Sequence, residues 1–450
     1  MSQPKKESDS NAEYGSKSAR DQGLVDHPQR TLLNNEVHAR PYERLTAPVR
    51  ASYLALLTGI ETAEDEREQI KSLCSRNGVN PPASGANHYS NDLGIFRLRW
   101  ERHTEFSTYT FIHAAPFEAP FDDAPIKRVP KDWLDGLPGK VLTAVHVAVE
   151  PSNKPVRSRE QLGALFVADT LVGSKVVNNA AIALTDFQIH ADGFSRILIH
   201  DAALGGRQAG RLVQRMLELE TYRMMALLAL PLAREHTPGV FRLDKQVAEL
   251  SDVLAGQKEN VDEHRMLERL SQLSAEIEGV ATATSFRFSA ARAYYDIVER
   301  RIRELREERH ERLQTFSEFM QRRLVPAMHT CESVHRRIEE LTTRAARVSD
   351  LLRTRVSITM ESQSRDLLES MNRRAKLQIR LQQTVEGLSV VVLSYYLVGL
   401  VNYGLKGLKS AGLDLNVDIL TGITIIPVIV VVLLGARYVR RSITREETKI

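Results

Sequence analysis

Two uncharged apolar stretches near the C-terminus decide the fold: GLSVVVLSYYLVGLVNYGL (Gly387–Leu405) and ILTGITIIPVIVVVLLGA (Ile419–Ala436). Since about 20 apolar residues cross the hydrocarbon core of a bilayer, each stretch is long enough to span a membrane. Two buried core helices are the alternative, but two charge-free runs this close together favour a transmembrane hairpin. We therefore predict transmembrane helices at 386–405 and 419–436, joined by a short external loop at 406–418.

Basic residues beside these stretches predict the orientation of the hairpin. They stand before the first span and after the second, at Arg373, Arg374, Lys376, Arg380, Arg437, Arg440 and Arg441. Cytoplasmic flanks carry an excess of Lys and Arg, so both termini are predicted to be cytoplasmic, including a basic tail at 437–450. The protein is then a multi-pass protein of the inner (cytoplasmic) membrane. The same side chains are candidate contacts for anionic lipid headgroups, at about 1 kcal/mol each, although topology alone also explains them.

Composition argues against several classes of protein. The formal net charge is +4 with 26% charged residues, which is not the pattern of a nucleic-acid-binding protein. Cys74 and Cys331 lie far apart without a Cys/His cluster, so neither a disulfide scaffold nor a structural zinc site is expected. Residues 1–30 are polar and lack the apolar segment of a secretory signal, and a disordered tail is predicted there.

Residues 31–205 are predicted to form a cytoplasmic α+β domain. After a loop at Leu32–Pro48, a helix is expected from about Arg50 to Asn77. Several later runs have the apolar/polar alternation or the apolar content of strands, and Asp192-Gly193 is a turn signal between two of them. These strand-like runs, which favour a mostly antiparallel sheet, are Gly94–Trp100, Thr104–His113, Val141–Val149, Leu162–Val167, Ala180–His190 and Phe194–His200.

Residues 206–385 are predicted to be a helical domain and stalk. We expect a long helix over Phe286–Leu324 that stops before Pro326, and a second from about Ala327 to Leu405. The second helix carries apolar residues alternately four and three positions apart, which is the seam of a coiled coil. Such a helix must pack against its neighbour, against copies of itself, or against both. The seam residues are Val334, Ile338, Leu341, Ala345, Val348 and Leu352.

No motif of a known enzyme or cofactor site stands out in the sequence, and we predict no enzyme activity, no cofactor and no metal. One group of residues could collect into a metal site, but it lacks metal-binding spacings, and solvated strand-end residues are the favoured interpretation. Its members are Asp186, His190, Asp192, His200 and Asp201. Glu36, His38 and Arg40 alternate and would share a face of an extended segment, which suits an anion, a partner strand or simply a capped loop.

The first predicted span has a partly polar stripe. An acid at the rim of a span is costly unless it meets water or a partner, so Glu386 is a functional candidate, with pairing to Arg380 or Arg437 at headgroup level as the equal alternative. Stripes of this kind line pores or join helices. The candidate pore-lining or pore-mouth residues are Gln382, Glu386, Ser389, Tyr396, Asn402, Tyr403, Gly404 and Lys406.

Four segments resemble a bacterial family of predicted membrane-anchored proteins that has no assigned activity. They are LLNNEVHARPYERLTAP (Leu32–Pro48), LTDFQIHADGFSRILI (Leu184–Ile199), GRLVQRMLELETYRMMALLALP (Gly210–Pro231) and TVEGLSVVVLSYYLVGL (Thr384–Leu400). The resemblance covers nearly the whole chain beyond the N-terminal tail.

The order of parts is also similar to that of CorA-type magnesium channels, pentamers whose first spans line the pore. Their filter sequence is Tyr-Gly-Met-Asn; Tyr403 and Gly404 match it, whereas Leu405 and Lys406 depart from it. A ring of lysines at this point would repel a cation. The resemblance implies a homo-oligomer of five copies in the lipid bilayer. The leading hypothesis is a divergent ion transporter or channel, and the alternative is a membrane-tethered oligomeric scaffold or sensor without transport.

Overall fold

The computed structural model describes residues 26–31, 33–34, 42–256, 262–410 and 416–447. The chain divides into two compact units. The first comprises 1–257 and 269–347, and the second comprises 258–268 and 348–450. The predicted tail at 1–30 therefore falls mostly outside the described residues, as does much of the Leu32–Pro48 segment.

The first unit is built on one nine-stranded sheet. Its strands are Val49–Leu57 (β1), His88–Asp92 (β2), Arg97–Arg102 (β3), Phe106–His113 (β4), Lys140–Glu150 (β5), Val172–Val176 (β6), Ala181–Thr185 (β7), Ser195–Asp201 (β8) and Glu308–Arg309 (β9). They lie in the order β2-β3-β4-β1-β5-β8-β7-β6-β9. Only β5 and β8 pair in parallel among them. The mostly antiparallel sheet predicted for an α+β domain is confirmed.

Short helices cover one face of the sheet. They are Ala63–Arg76 (α1), Lys131–Asp135 (α2) and Arg159–Gly163 (α3). Trp100 and Phe111 of the sheet are buried in one cluster with Ile70 of α1 and Trp133 of α2. Burying a large apolar side chain stabilises a fold by roughly 1.5–3 kcal/mol, so this cluster holds α1 and α2 on the sheet.

A longer helix, Gly206–Leu227 (α4), packs on the opposite face. Its apolar side, which includes Leu212, Met216 and Leu219, is buried. The hydroxyl groups of Tyr53 on β1 and Thr221 on α4 lie 2.8 Å apart in a buried hydrogen bond. The sheet is therefore enclosed between helices on both faces.

Three sequence predictions about this unit were wrong. The helix expected over Arg50–Asn77 is strand β1 followed by α1. Strand β1 lies in the middle of the sheet and is buried on both faces, so its apolar run lacks the alternation that identifies a half-exposed strand. No strand forms over Leu162–Val167, and the first residues of this range belong to α3. Ser158 caps the N-terminus of α3 and forms a capping box with Gln161.

The third error concerns the helix expected over Phe286–Leu324. The chain forms one helix at Glu263–Leu305 (α6), then strand β9, and begins the next helix, Phe316–Ser410 (α7), at Phe316. Helix α7 continues through Pro326, which lies inside the helix, so the proline removes a backbone hydrogen bond there without ending the helix.

Helices α6, α7 and Ala229–Ala255 (α5) contact one another in the first unit. Arg337 of α7 pairs with Asp244 of α5 at 3.0 Å, and Arg292 of α6 pairs with Glu332 of α7 at 2.8 Å. All six residues of the predicted seam are buried within this single chain. Their apolar spacing is thus accounted for by packing inside the protomer, and a coiled coil between copies remains a prediction.

The second unit contains the remainder of α7 and a last helix, Val417–Glu447 (α8). Among the described residues, α7 and α8 are the two helices with segments long and apolar enough to cross a membrane. The two predicted spans lie inside these helices. Residues 406–410 of the predicted loop continue α7, and 411–415 lie outside the described residues.

Candidate functional site

A cavity of about 210 Å³, lined by both polar and apolar side chains, lies between the sheet and α4 in the first unit. Alternation along the strands places Tyr53 of β1, Thr110 of β4 and Arg99 of β3 side by side in the sheet, because Thr110 pairs with both of the others. Glu101 pairs with Thr108 on the same face. We call this space the sheet cavity. Its floor is unusual for a covered sheet face because it presents charges and hydroxyl groups.

One side of α4 forms the roof of the sheet cavity. Gln214, Glu218 and Thr221 line the cavity and follow one another at the helical spacing of four and three residues. The hydroxyl groups of Tyr53 and Thr221 form a hydrogen bond at the cavity wall. Burial raises the pKa of Tyr53 well above its ordinary value, and the carboxylates of Glu101 and Glu218 act in the same direction. The phenol is therefore neutral at physiological pH.

The charged groups of the sheet cavity are held in pairs. Arg99 and Glu101 lie 2.8 Å apart. Glu218 accepts hydrogen bonds from Gln214 at 2.8 Å and from Arg301 of α6. The amide oxygen of Gln214 is buried and has no hydrogen-bond partner among the described residues. Because Gln214 also lines the cavity, this oxygen can accept a hydrogen bond from a ligand there.

These groups fit a small ligand that carries both charges. The cavity is lined by one guanidinium, three carboxylates, three threonine hydroxyls and the amide oxygen of Gln214, which has no hydrogen-bond partner among the described residues. Sequence reasoning missed this site. Its signal was the alternation Phe96-Arg97-Leu98-Arg99-Trp100, which predicted a strand but gave no sign that its polar face is covered.

The predicted pore residues do not converge within one chain. Gln382, Tyr396, Tyr403, Gly404 and Lys406 are exposed on α7, and Glu386 is half-buried. The Ser389 hydroxyl donates to the backbone of its own helix at 2.8 Å. Asn402 instead contacts α8, because its side-chain oxygen lies 3.5 Å from the Thr421 hydroxyl.

The predicted headgroup contacts are exposed where they are described. Arg373 pairs with Glu369 one turn earlier at 2.7 Å, while Arg374, Lys376, Arg380 and Arg437 are exposed. The side chains of Arg440 and Arg441 lie outside the described residues. The described side chains at these positions are accessible to a partner or a headgroup.

The histidine and aspartate group in the sheet is structural. Asp186 is fully buried, and it accepts hydrogen bonds from the Val167 backbone at 2.9 Å and from His190 at 3.0 Å. His200 is also buried, so the interpretation as solvated strand ends was wrong for these two residues. The described residues contain no group of three or more side chains that could hold a metal ion. Glu36, His38 and Arg40 lie outside the described residues.

Comparison with known proteins places the chain in a family. No curated protein matches the chain significantly. A family described as "Protein of unknown function (DUF3422)" matches residues 25–443, which include the sheet, the sheet cavity and both apolar helices. The match covers most of the chain, and the protein belongs to this family.

Proposed function

We propose that the protein is a membrane-tethered homo-oligomeric sensor whose cytoplasmic domain binds a small polar ligand. The observation that carries the proposal is the sheet cavity, with its paired charges and the Gln214 oxygen that has no partner among the described residues. A sensor also needs a physical link to its site of action. Helix α7 supplies one, since the helix that begins beside the sheet at Phe316 also contains the first apolar span.

The hairpin serves as an anchor in this proposal. Basic residues flank the two spans on the side away from the connecting loop, which supports a cytoplasmic position for both termini in the inner membrane. The contact between Asn402 and Thr421 supports the packing of the two spans as a pair, because polar side chains hold helices together in a bilayer.

Oligomer formation is supported by the part of α7 that follows the buried seam. Between Leu351 and Leu381 this helix exposes a series of large apolar side chains, including Leu367 at 65% and Met371 at 59%. A single helix gains its stability in proteins mostly from packing of an apolar face. Large exposed apolar surfaces mark interaction sites, and a second copy of the same helix offers a matching surface.

The ligand proposal is tested with two matched threonine variants. Thr110 lines the sheet cavity, so Thr110→Ile removes one hydroxyl and adds bulk there. Thr143 is buried and its hydroxyl has no partner among the described residues, but it does not line the cavity. Thr143→Val is therefore the control. The protein in detergent is screened by thermal shift against amino acids and small hydroxy acids.

We expect at least one compound to raise the unfolding temperature of the wild type, since a ligand at about 100 times its Kd stabilises the folded state by roughly 2.7 kcal/mol. The shift should be retained in Thr143→Val and lost in Thr110→Ile. A wild type that responds to none of these compounds, or equal shifts in the two variants, contradicts the proposal.

A CorA-like ion transporter is the second candidate. It is favoured by the exposure of polar Gln382 and Lys406 at the two ends of the first span, with half-buried Glu386 near the inner end. Charged rings at a pore mouth decide which sign of ion enters. Reconstituted protein should then carry cations faster in Lys406→Glu and more slowly in Glu386→Gln. Background flux in the wild type and in both variants would leave the hairpin as an anchor.

A further inference from the structure

A second pocket, rich in arginine, lies in the first unit. It has a volume of about 470 Å³ and is formed by α4, the end of α6 and the turn between β6 and β7. We call it the arginine pocket. Gln208, Arg211 and Arg215 line it from one side of α4, and Arg300, Arg303 and Arg306 line it from α6 and the residue that follows.

The positive charge of the arginine pocket is not balanced. Its only acidic lining residue among the described ones is Glu304, and this carboxylate is already shared by Arg215 at 3.1 Å and Arg301 at 2.8 Å. Glu299 approaches Arg303 only to 4.0 Å. Arg300 and Arg306 form no ion pair with any described residue. Like charges held together in a concave surface repel one another unless an anion joins them.

The backbone at the rim includes positions whose conformation is uncommon for the residues that occupy them. Val177, Asn178 and Asn179 have φ values of 55°, 56° and 66°, and Arg306 has a φ of 48°. The left-handed region is strained for a β-branched residue such as Val177. The position after a helix is normally glycine when it is left-handed, yet here it carries Arg306. Strain of this kind collects at binding sites, where it places a particular side chain.

We propose that the arginine pocket binds a small anion that carries two or more phosphate groups. Planar guanidinium groups match the oxygen atoms of phosphate with paired, charge-assisted hydrogen bonds. Guanidinium groups from two helices surround the pocket, and its volume lies within the range of small-molecule sites. The pocket is separate from the sheet cavity, and the proposal stands whether or not that cavity binds a ligand. A free polyphosphate and a multiply phosphorylated lipid headgroup share the required chemistry.

Calorimetric titration of the full-length protein in detergent tests this proposal with inorganic tripolyphosphate as the probe. The pocket variant is Arg300→Gln/Arg303→Gln. The control, Arg207→Gln/Arg269→Gln, removes the same charge from exposed positions on α4 and α6 that do not line the pocket. We expect the pocket variant to weaken binding by roughly tenfold or more and the control by less than about twofold. No binding by the wild type, or equal weakening in both variants, would overturn the proposal.

Two further measurements sharpen the test. A water-soluble short-chain phosphoinositide with two ring phosphates is titrated alongside tripolyphosphate, and the tighter of the two probes identifies the source of the phosphate groups. Arg306→Gly should bind tripolyphosphate more weakly while unfolding at the same or a higher temperature, because glycine adopts a positive φ without strain. Unchanged affinity in a folded Arg306→Gly protein would contradict the role assigned to this strained position.

Discussion

Arg301 of α6 and Glu218 of α4 form an ion pair that connects the sheet cavity to the arginine pocket. Glu218 lines the sheet cavity, and Arg301 also holds Glu304 of the arginine pocket at 2.8 Å. Burial disfavours the charged form of Arg301, but the carboxylates of Glu218 and Glu304 outweigh it and raise its pKa. One guanidinium is thus shared by a carboxylate from each pocket.

The strength of this connection is predicted with a double-mutant cycle on Arg301→Gln and Glu218→Gln. Both side chains are largely shielded from water, and we expect a coupling of about 1 kcal/mol in the free energy of unfolding, measured by urea titration. The exposed pair of Arg242 and Glu276, 3.4 Å apart, is the control and should show a coupling near zero. Additive effects at Arg301 and Glu218 would contradict the shared-guanidinium interpretation.

Gly210 of α4 allows the segment before β1 to lie directly on the helix. A Cβ atom at this position would stand 1.6 Å from the carbonyl oxygen of Glu43. Because a backbone atom cannot swing away as a side chain can, Gly210→Ala should lower the unfolding temperature. It should also disturb the sheet cavity, which both residues line.

Gly279 of α6 provides the matched control. Apart from its chain neighbours and its own helix backbone, no atom of the described residues lies within 4 Å of a Cβ built at this position. Gly279→Ala should therefore stabilise the protein by about 0.5–1 kcal/mol, the usual gain for a helix interior. If differential scanning fluorimetry gives the two alanine variants the same shift, the close approach of Glu43 to α4 is wrong.

His146 of β5 makes stability depend on pH. Burial lowers the pKa of His146 to about 4, while Asp192 opposes this effect. The ring is stacked on Phe194 at 3.9 Å, and its Nδ1 lies 3.0 Å from the Ser52 hydroxyl. The unfolded chain binds this proton with a pKa of about 6.5. The contribution of neutral His146 to the stability of the fold is therefore fully present above pH 6.5, and it is lost as the pH falls toward 4.

Between pH 7 and 4, His146 lowers the free energy of unfolding by roughly 3 kcal/mol at most. Unfolding temperatures between pH 7 and 4 should fall less steeply in His146→Gln than in the wild type. An identical pH profile in the two proteins would mean that His146 does not titrate on unfolding.

The features predicted correctly from sequence are those with a local signal. The two long apolar helical segments follow from charge-free runs, and the helical course of α7 beyond Ala327 follows from the spacing of Val334 to Leu352. Strand β1 was missed because its residues are buried on both faces by distant partners. Strand β9 was missed because it joins the sheet by pairing with β6, more than 130 residues earlier in the chain. No local pattern contains that information.

The sheet cavity and the arginine pocket also could not be predicted from local sequence patterns. The alternating polar residues Arg97, Arg99 and Glu101 are typical of an exposed strand face, and only the position of α4 turns that face into a cavity wall. The arginines at 211, 215, 300, 303 and 306 lie on helix surfaces whose meeting is a tertiary event. Arginines on each helix alone predict a solvated helix face. That they form one pocket becomes visible only when the packing of the two helices is known.

Membrane topology is tested with introduced cysteines. Cys74 and Cys331 are both buried, and burial raises the pKa of each thiol. They would therefore resist labelling on either side of the membrane. In a protein with both replaced by alanine, Ser410→Cys should react with an impermeant maleimide in intact spheroplasts, while exposed Ser152→Cys should react only after lysis. Labelling of Ser152→Cys in intact cells would reverse the proposed orientation.

The oligomeric state reports whether copies of α7 pack along their exposed apolar side chains. Leu367 and Met371 are 65% and 59% exposed in the protomer, whereas the seam residues Ile338 and Leu341 are 3% and 2% exposed. Glutamates in place of Leu367 and Met371 leave the fold of the protomer intact, because both positions are exposed. If copies of α7 pack together there, the new carboxylates are buried without partners and oppose assembly. The seam positions cannot serve this test, since Ile338→Asp and Leu341→Asp would unfold the protomer itself.

The measurement is the native mass of the full-length protein in mild detergent, for the wild type and for Leu367→Glu/Met371→Glu. The account predicts a closed homo-oligomer for the wild type and a folded monomer for the variant, with unfolding temperatures that show an intact sheet domain in both. A monomeric wild type, or a variant that keeps the mass of the wild-type assembly, would contradict it.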